Sequence, residues 1–503
     1  MIRRRSSRQT PSATANQVGA VRRGLSELDP AAAASISGEG AVQPEDIFAP
    51  AEHIYALDPT STLVLGSRGS GKSFWASALA QDGTRSLTAA LYPRLGLDGI
   101  DVKVGFSGGE DGRTTPDLIE ELVPKGDTGS KARAVWRATV IHALQEATGH
   151  PPERVSVLAA RLESAEDWKE ELEAGTQRLN GRRLLVLFDA IDALSTDWGR
   201  LRMLVDELLK LAWGLRAIPL VRVKLFLRPD QLDELELGFV ELSKMRAKAA
   251  DLNWSEVDLY GMLFARLGLH EDDAVADGFG ALLAELRLPS APEDHVDLKS
   301  WPLSYDPDAQ RQLFERFAGP YMGAGPRKGR TYDWPTNHLA DGWGEVTPRS
   351  FLILMRAAGQ DAQRRLESVQ QSDGAGLVIA PDGIRDGLRA ASEVRVDQLA
   401  VEYPWVKRAL TPLARLKVPN KAREFYKRWR DEKTIEAIDR AATRERFLPP
   451  LPEFEPSPDR EAALATRMIG MGLLTQREDG RIDMPDLFRV GAELLRKGGV
   501  PPS

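Results

Sequence analysis

The octapeptide Gly66-Ser67-Arg68-Gly69-Ser70-Gly71-Lys72-Ser73 constrains this chain more than any other feature. It satisfies the spacing G-x-x-x-x-G-K-[ST] at every fixed position. Glycines in such a loop let successive backbone N–H groups curl around a phosphate without Cβ clashes. The lysine then reaches the β- and γ-phosphates of a triphosphate, and the hydroxyl that follows it ligates Mg²⁺. Gly66, Ser67, Arg68, Gly69, Ser70, Gly71, Lys72, Ser73 and the adjoining Phe74 are therefore the expected nucleotide-binding residues. Leu63-Val64-Leu65 before the loop reads as the edge of a buried parallel strand, and Ser73–Ala80 after it as the opening of a helix. Strand, loop and helix in that order suit an anion, because the helix N-terminus turns its positive dipole end toward the phosphates. The competing reading is a glycine-rich surface turn.

A second apolar run, Leu184-Leu185-Val186-Leu187-Phe188, closes on Asp189. A carboxylate at the end of a buried strand is placed to hold Mg²⁺ through its water shell, so Ser73 and Asp189 are the expected metal residues. The alternative for Asp189 is a strand-terminal turn. Asp192, three residues on, is a candidate to orient or deprotonate an attacking water, its alternative being a helix N-cap. Ala190 stands directly after Asp189, so the adjacent acid pair of many ATPases is absent and hydrolysis needs Asp192 or an acid from elsewhere. A third strand, Val221–Arg228, ends in Arg228-Pro229-Asp230, where a cation beside the γ-phosphate can tell ATP from ADP. Thr347-Pro348-Arg349 opens a later helix, and an arginine at the start of a lid helix can fold back over phosphates. For Arg228 and Arg349 the alternatives are a surface arginine before a turn and an ordinary surface cap. The expected catalytic set is thus Lys72, Asp189, Asp192 and Arg228, with Arg349 among the nucleotide contacts and ATP and Mg²⁺ as cofactors.

Length and composition set the frame. A chain of 503 residues suggests two to four domains. It has no cysteine, which excludes disulfides, cysteine-based zinc sites and thiol catalysis, and its six histidines show no metal-ligand spacing. The net charge of -7 argues against wholesale electrostatic coating of DNA. No apolar run reaches membrane-spanning length, and no apolar stretch follows the basic start Met1–Arg8, so no membrane partner and a cytoplasmic location are expected.

Residues 1–44, poor in large apolar side chains, read as a disordered polar tail with a basic start. Alternating strands and helices over 45–240 predict a P-loop ATPase core, and 241–394 a helical lid with a loop-rich insertion. Residues 395–503 read as a winged-helix-like α+β domain, because a helix at 459–472 runs into a hairpin turned at Asp479-Gly480. The segment 407–433 concentrates Lys421, Arg423, Lys427, Arg428 and Arg430 around Phe425, Tyr426 and Trp429. Such a surface suits nucleic acid; the more ordinary account is an amphipathic helix with its aromatics in the core.

With these residues in place, the chain resembles bacterial P-loop ATPases of the AAA+/STAND superclass, particularly KAP-like and related stand-alone ATPases. The resemblance rests on the loop at 66–75, Phe188–Asp192, Phe226–Asp230, Asp251-Leu252-Asn253-Trp254 leading into a helix that ends near Arg266, and Thr347-Pro348-Arg349. It covers about 45–370, and departs from the group where Ala193 replaces the arginine of an Asp-x-x-Asp-Arg string. It implies an α/β fold, a P-loop NTPase parallel sheet with a helical lid and a C-terminal winged-helix-like domain. It further implies a sensor-1-like Arg228, a sensor-2-like Arg349, and a switch or motor in a multi-protein system, anti-phage defence included.

The leading expectation is an ATPase coupling nucleotide state to assembly of a homo-oligomer or with a protein partner. Arg246 and Arg266 are candidates for an arginine donated to a neighbouring subunit. The alternative is a DNA-binding ATPase, a loader or regulator using the winged helix and the 407–433 segment. A small-molecule kinase ranks low because so long a chain is not needed for one, and a nucleotide-binding scaffold without turnover stays open.

Overall fold

Side chains buried on both faces of a strand make the centre of this molecule. The computed structural model describes residues 12–30, 40–110, 112–195, 197–234, 239–368, 376–451 and 459–502. Strands β1 (Leu63–Leu65), β2 (Ile100–Phe106), β3 (Arg183–Phe188), β4 (Val221–Leu227) and β5 (Ala250–Asp251) form a sheet in the order β2-β3-β4-β1-β5. Every pairing in it is parallel. Strands β1, β3 and β4 match the strands expected from the sequence. Strand β2 was not foreseen: Asp101 and Lys103 alternate with buried Ile100, Val102 and Val104, as an edge strand allows. This order sets the C-terminal ends of β3, β4 and β1 side by side, and in an open parallel sheet ligands bind beyond those ends.

Helix α1 (Ala15–Glu27) corrects the expectation of a disordered tail over 1–44. Thr14 caps it: its hydroxyl accepts from the Gln17 N–H, and the Gln17 side chain accepts from the Thr14 N–H at 2.8 Å. Val18, Val21 and Leu25 recur on one face and are fully buried. Three large side chains at helical spacing suffice when a partner surface exists, and average composition conceals them. Residues 1–11, with the basic start, and 31–39 lie outside the described residues.

Helix α2 (Lys72–Ala80) covers one face of the sheet, where Trp75, Ala76 and Leu79 meet Val64, Leu185, Leu187 and Phe226. Helices α3 (Ser130–Ala147) and α4 (Trp198–Leu215) cover the other, against Leu184, Val186 and Phe188. Successive residues of β3 thus feed opposite cores, each fully buried side chain contributing about 1.5–3 kcal/mol.

Helices α5 (Glu256–Gly268), α6 (Asp273–Leu286), α7 (Pro348–Ser368) and α8 (Pro381–Glu402) build the lid. At its heart Tyr260 stacks on Tyr332 at 4.2 Å and meets Phe314 and Phe351 edge-on. Where a loop-rich insertion was expected in the lid, the chain also forms the helix Pro307–Ala318 with Leu313, Phe314 and Phe317 buried. Helix α1 lies across α6 and α7, and Arg22 Nε donates to the Val378 carbonyl at 2.9 Å.

Helix α8 runs straight through 394/395, the expected boundary between lid and C-terminal domain. Ser392 Oγ donates to Leu487 O at 2.6 Å and accepts from the Gly491 N–H at 2.7 Å. Lid and C-terminal residues belong to one apolar cluster, so the division falls inside a helix that serves both.

Beyond it come α9 (Pro404–Leu410), β6 (Asn420–Lys421), α10 (Ala422–Asp431), α11 (Thr434–Glu445), α12 (Arg460–Gly470), β7 (Thr475–Gln476) and β8 (Arg481–Asp483). The strands pair antiparallel in the order β6-β8-β7, and the predicted helix and hairpin are both present. Phe425 and Trp429 are buried, Trp429 Nε1 donating to Ala409 O at 2.8 Å, so these aromatics form core and do not offer stacking surfaces. Lys421, Arg423, Lys427 and Arg430 are exposed. Arg428 is half-buried and donates to the Pro412 and Ala414 carbonyls. Among the described residues no helix is long and apolar enough to cross a membrane.

Candidate functional site

Loop 66–71 leaves the C-terminal end of β1 and turns directly into α2. Gly69 and Gly71 hold φ of +85° and +105°, left-handed values that a side chain would strain. Lys72 Nζ donates to Gly66 O at 2.7 Å and Ser67 O at 2.9 Å, so its ammonium lies across its own loop. Ser73 Oγ donates to Asp189 Oδ2 at 2.6 Å. Two residues read separately as metal ligands, 116 positions apart, are thus in contact. One hydroxyl and one carboxylate fit Mg²⁺, which keeps most of its waters and takes only one or two protein ligands besides phosphate oxygens. Among the described residues no cluster of three or more His, Cys, Asp or Glu side chains offers a fuller metal site. Sheet, loop and helix together make a P-loop NTPase fold.

Past Asp189, Ala190 takes a left-handed φ of +53° and Ile191–Leu194 forms one 3-10 turn that contains Asp192. The Asp192 side chain lies outside the described residues. Asp197, not Asp192, caps α4, accepting from the Arg200 N–H at 2.8 Å.

Arg228 is buried at the end of β4 and is no surface arginine. It pairs with Glu402, the last residue of α8, donates to the Tyr403 hydroxyl, and lies 5.2 Å from the Tyr403 ring centre. Arg68, from the phosphate loop, forms an ion pair with the same Glu402 carboxylate. Arg349 sits in the first turn of α7, half-buried, while Thr347 Oγ1 accepts from the Ser350 N–H. The Arg349 pKa is lowered by burial and then by Arg68.

These groups line one cavity of about 310 Å³. Its lining includes Arg68, Lys72, Ser73, Asp189, Arg228 and Arg349 together with the apolar Phe48, Trp254, Met262 and Leu352. Cations and apolar side chains in one cavity are the chemistry that phosphates and a flat base require. Arg266 is also in this wall, where it donates to Asp29 O at 2.9 Å and pairs with Asp46. Arg266 therefore serves its own chain's cavity, which corrects its candidacy for a neighbour's site. Arg246 is exposed on the short helix Leu242–Arg246.

Several supporting residues were not legible in sequence. Trp254 Nε1 donates to Ser70 O at 2.7 Å and braces the loop from behind. His53 accepts from Trp75 Nε1 at 3.1 Å through Nδ1, while its Nε2 lies 3.0 Å from Asn253 O. Burial pushes its pKa down to about 4, so the ring is neutral with the proton on Nε2. The Glu345 carboxyl, its pKa raised by burial, hydrogen-bonds Ser67. In the same connecting loop the Gly342 N–H donates to Gly472 O at 2.7 Å, so residues 341–347 touch both the phosphate loop and the turn before β7. Trp254 lies in a stretch that carried the family resemblance, and a search for aromatics beside it would have found it. Glu402 and His53 carry no local signal.

No family model matches the sequence, and no curated protein matches it. Among solved structures, the chain is similar to the ORC2 protein of Aeropyrum pernix, seen in ADPNP–ADP complexes. Identity is 12% and the TM-score 0.41, over 91% of this chain and 94% of that one. It is also similar to a Walker-type ATPase of Pyrococcus abyssi, at 13% identity and a TM-score of 0.33, over 92% and 97% of the two chains. At that level of likeness the site is read from its own geometry.

Proposed function

We propose that the chain is an ATPase that binds Mg·ATP in this cavity and transfers the γ-phosphoryl group to water. The observation that carries the reading is the Ser73–Asp189 contact at 2.6 Å, made at the mouth of a phosphate loop whose lysine spans it. Ser73 and Asp189 would hold a Mg²⁺, which would supply positive charge to the phosphate oxygens. Loop N–H groups and Lys72 hold the phosphates, Arg349 and Arg68 add positive charge beside them, and Arg228 faces the terminal phosphate. Phe48, Met262 and Leu352 exclude water around the base. Asp192, in the turn after Asp189, orients the attacking water. The contacts of loop 341–347 and of Glu402 join the site to the C-terminal unit, so nucleotide state changes the surface offered to a protein partner or a second copy.

We read the order α9-β6-α10-α11-α12-β7-β8, with strands ordered β6-β8-β7, as a winged helix carrying an added helix. The exposed Lys421, Arg423, Lys427 and Arg430 favour DNA as a second reading.

Steady-state ATP hydrolysis with and without duplex DNA, on wild type, Lys72→Ala, Asp189→Asn and Asp192→Ala, tests both readings. The expected result is turnover lost by at least about 100-fold in all three variants, with Lys72→Ala also losing ATP binding. Stimulation by DNA that falls steeply with salt would support the second reading. A wild-type protein that binds no ATP by calorimetry would sink the first.

A further inference from the structure

A second, mostly apolar cavity of about 190 Å³ adjoins the nucleotide cavity, lined by Trp198, Leu201, Tyr403, Phe447 and Leu448. Arg228 and Glu402 line both cavities and stand between them. Both oxygens of the Glu402 carboxylate are engaged, Oε1 by Arg228 and Oε2 by Arg68. The Arg228 contact is a hydrogen bond, whereas the Arg68 contact is an ion pair without hydrogen-bond alignment, and Arg68 Nε is buried without a partner.

A third guanidinium, Arg395, lies seven residues back on α8 and is buried. Burial lowers its pKa to about 10; Glu402 and Asp341 act to raise it, and Arg68 and Arg228 to lower it. Arg68 and Arg228 therefore share one carboxylate in the cavity wall, with Arg395 behind them close enough to feel Glu402 and Asp341 electrostatically. Such a set can accept a further anion without rebuilding, because phosphate binds guanidinium in the same two-pronged way as carboxylate and carries more charge.

We propose that Glu402 is a positioning residue that holds Arg228 and Arg68 in competition with the terminal phosphate of a bound nucleotide. The inference deepens the ATPase reading and rests on it. A triphosphate draws the two arginines off Glu402, while a diphosphate, one phosphate shorter, leaves them there. Glu402 ends α8 and is followed by Tyr403 and α9, so losing its partners loosens the hold of the C-terminal unit on the sheet. Linkage makes the effect reciprocal: whatever weakens the Glu402 contacts tightens ATP and leaves ADP alone.

ATP, its non-hydrolysable analogue and ADP are titrated by calorimetry into the full-length chain as wild type, Glu402→Gln, Glu402→Asp and Arg228→Ala with and without Glu402→Gln. Glu402→Gln is expected to tighten the analogue by roughly five- to tenfold while ADP stays within twofold. Glu402→Asp should fall between, and the gain should vanish in the Arg228→Ala background. A side chain that only holds the fold together would weaken both nucleotides alike and leave their ratio unchanged, and that outcome overturns the proposal. A second readout needs no variant: hydrogen exchange over 402–410 in wild type should speed up with the analogue and not with ADP, and equal exchange with both also overturns it. Binding of neither nucleotide to wild type would remove the ATPase reading, and this inference with it. Binding with an unchanged ratio removes this inference alone.

Discussion

His53 shows how one buried side chain sets the conditions under which the phosphate loop keeps its shape. It stands between Trp75 of α2 and the Asn253 carbonyl, and Trp254, which meets its ring edge-on at 5.0 Å, carries the support on to Ser70. Its folded pKa is about 4 against an ordinary value of 6.5. Above pH 6.5 the ring is neutral in both folded and unfolded chains, and it adds no pH dependence. As pH falls from 6.5 to 4, the unfolded chain takes up a proton that the folded chain refuses, and stability drops by about 3 kcal/mol. Burial raises the Asp341 carboxyl pKa to about 6, which adds stability as pH falls over the same range, so the His53 slope should appear as the difference between wild type and His53→Gln in thermal unfolding between pH 7 and pH 4. An unchanged slope in the variant would show that other groups govern this range. Lys72, Ser73 and Asp189 were legible because each is bound to a local pattern of glycines or apolar residues. Glu402 was not, because its partner Arg228 lies 174 positions away and nothing local marks a carboxylate that ends a helix.

Among elements, those that bury both faces declared themselves. Strands β1 and β3 are apolar runs and β4 closes on Leu225-Phe226-Leu227, whereas β2 alternates with Asp101 and Lys103, ends on Gly105-Phe106 and merges with its surroundings. Helix α1 was hidden for a different reason: Val18, Val21 and Leu25 are diluted by polar neighbours, and their partners lie far along the chain. Its placement makes a sharp prediction. Val21→Asp sets an unpaired carboxylate in a fully buried position and should cost about 3 kcal/mol or more in urea unfolding. The same substitution in a solvated tail would move stability by less than about 0.5 kcal/mol, and a result of that size would dislodge α1 from the core.

At the scale of the whole molecule, two bodies of core meet at the cavity beside the phosphate loop. The sheet has its own apolar layers on each face, while the lid, α1 and the C-terminal unit share one continuous cluster. Composition along the chain suggested a division at 394/395, but Arg395, Val396 and Leu399 of α8 are buried among residues from both sides. A fragment of residues 395–503 should therefore lack a cooperative thermal transition by circular dichroism. A sharp two-state transition in it would restore the boundary.

The position of α1 also bears on how the protein is made. Arg22 meets the Val378 carbonyl 356 residues later. At roughly 5–20 residues per second, ribosomes need about 20–70 s to deliver that partner. Helix α6, the nearer of its two partners, follows sooner; until it does, α1 has an apolar face and nothing to lay it on, while the sheet, whose last strand ends at Asp251, can already close. A nascent chain in that condition is a natural client for a chaperone that shields short apolar helices, and a bulky fusion at the N-terminus would be carried through the whole wait.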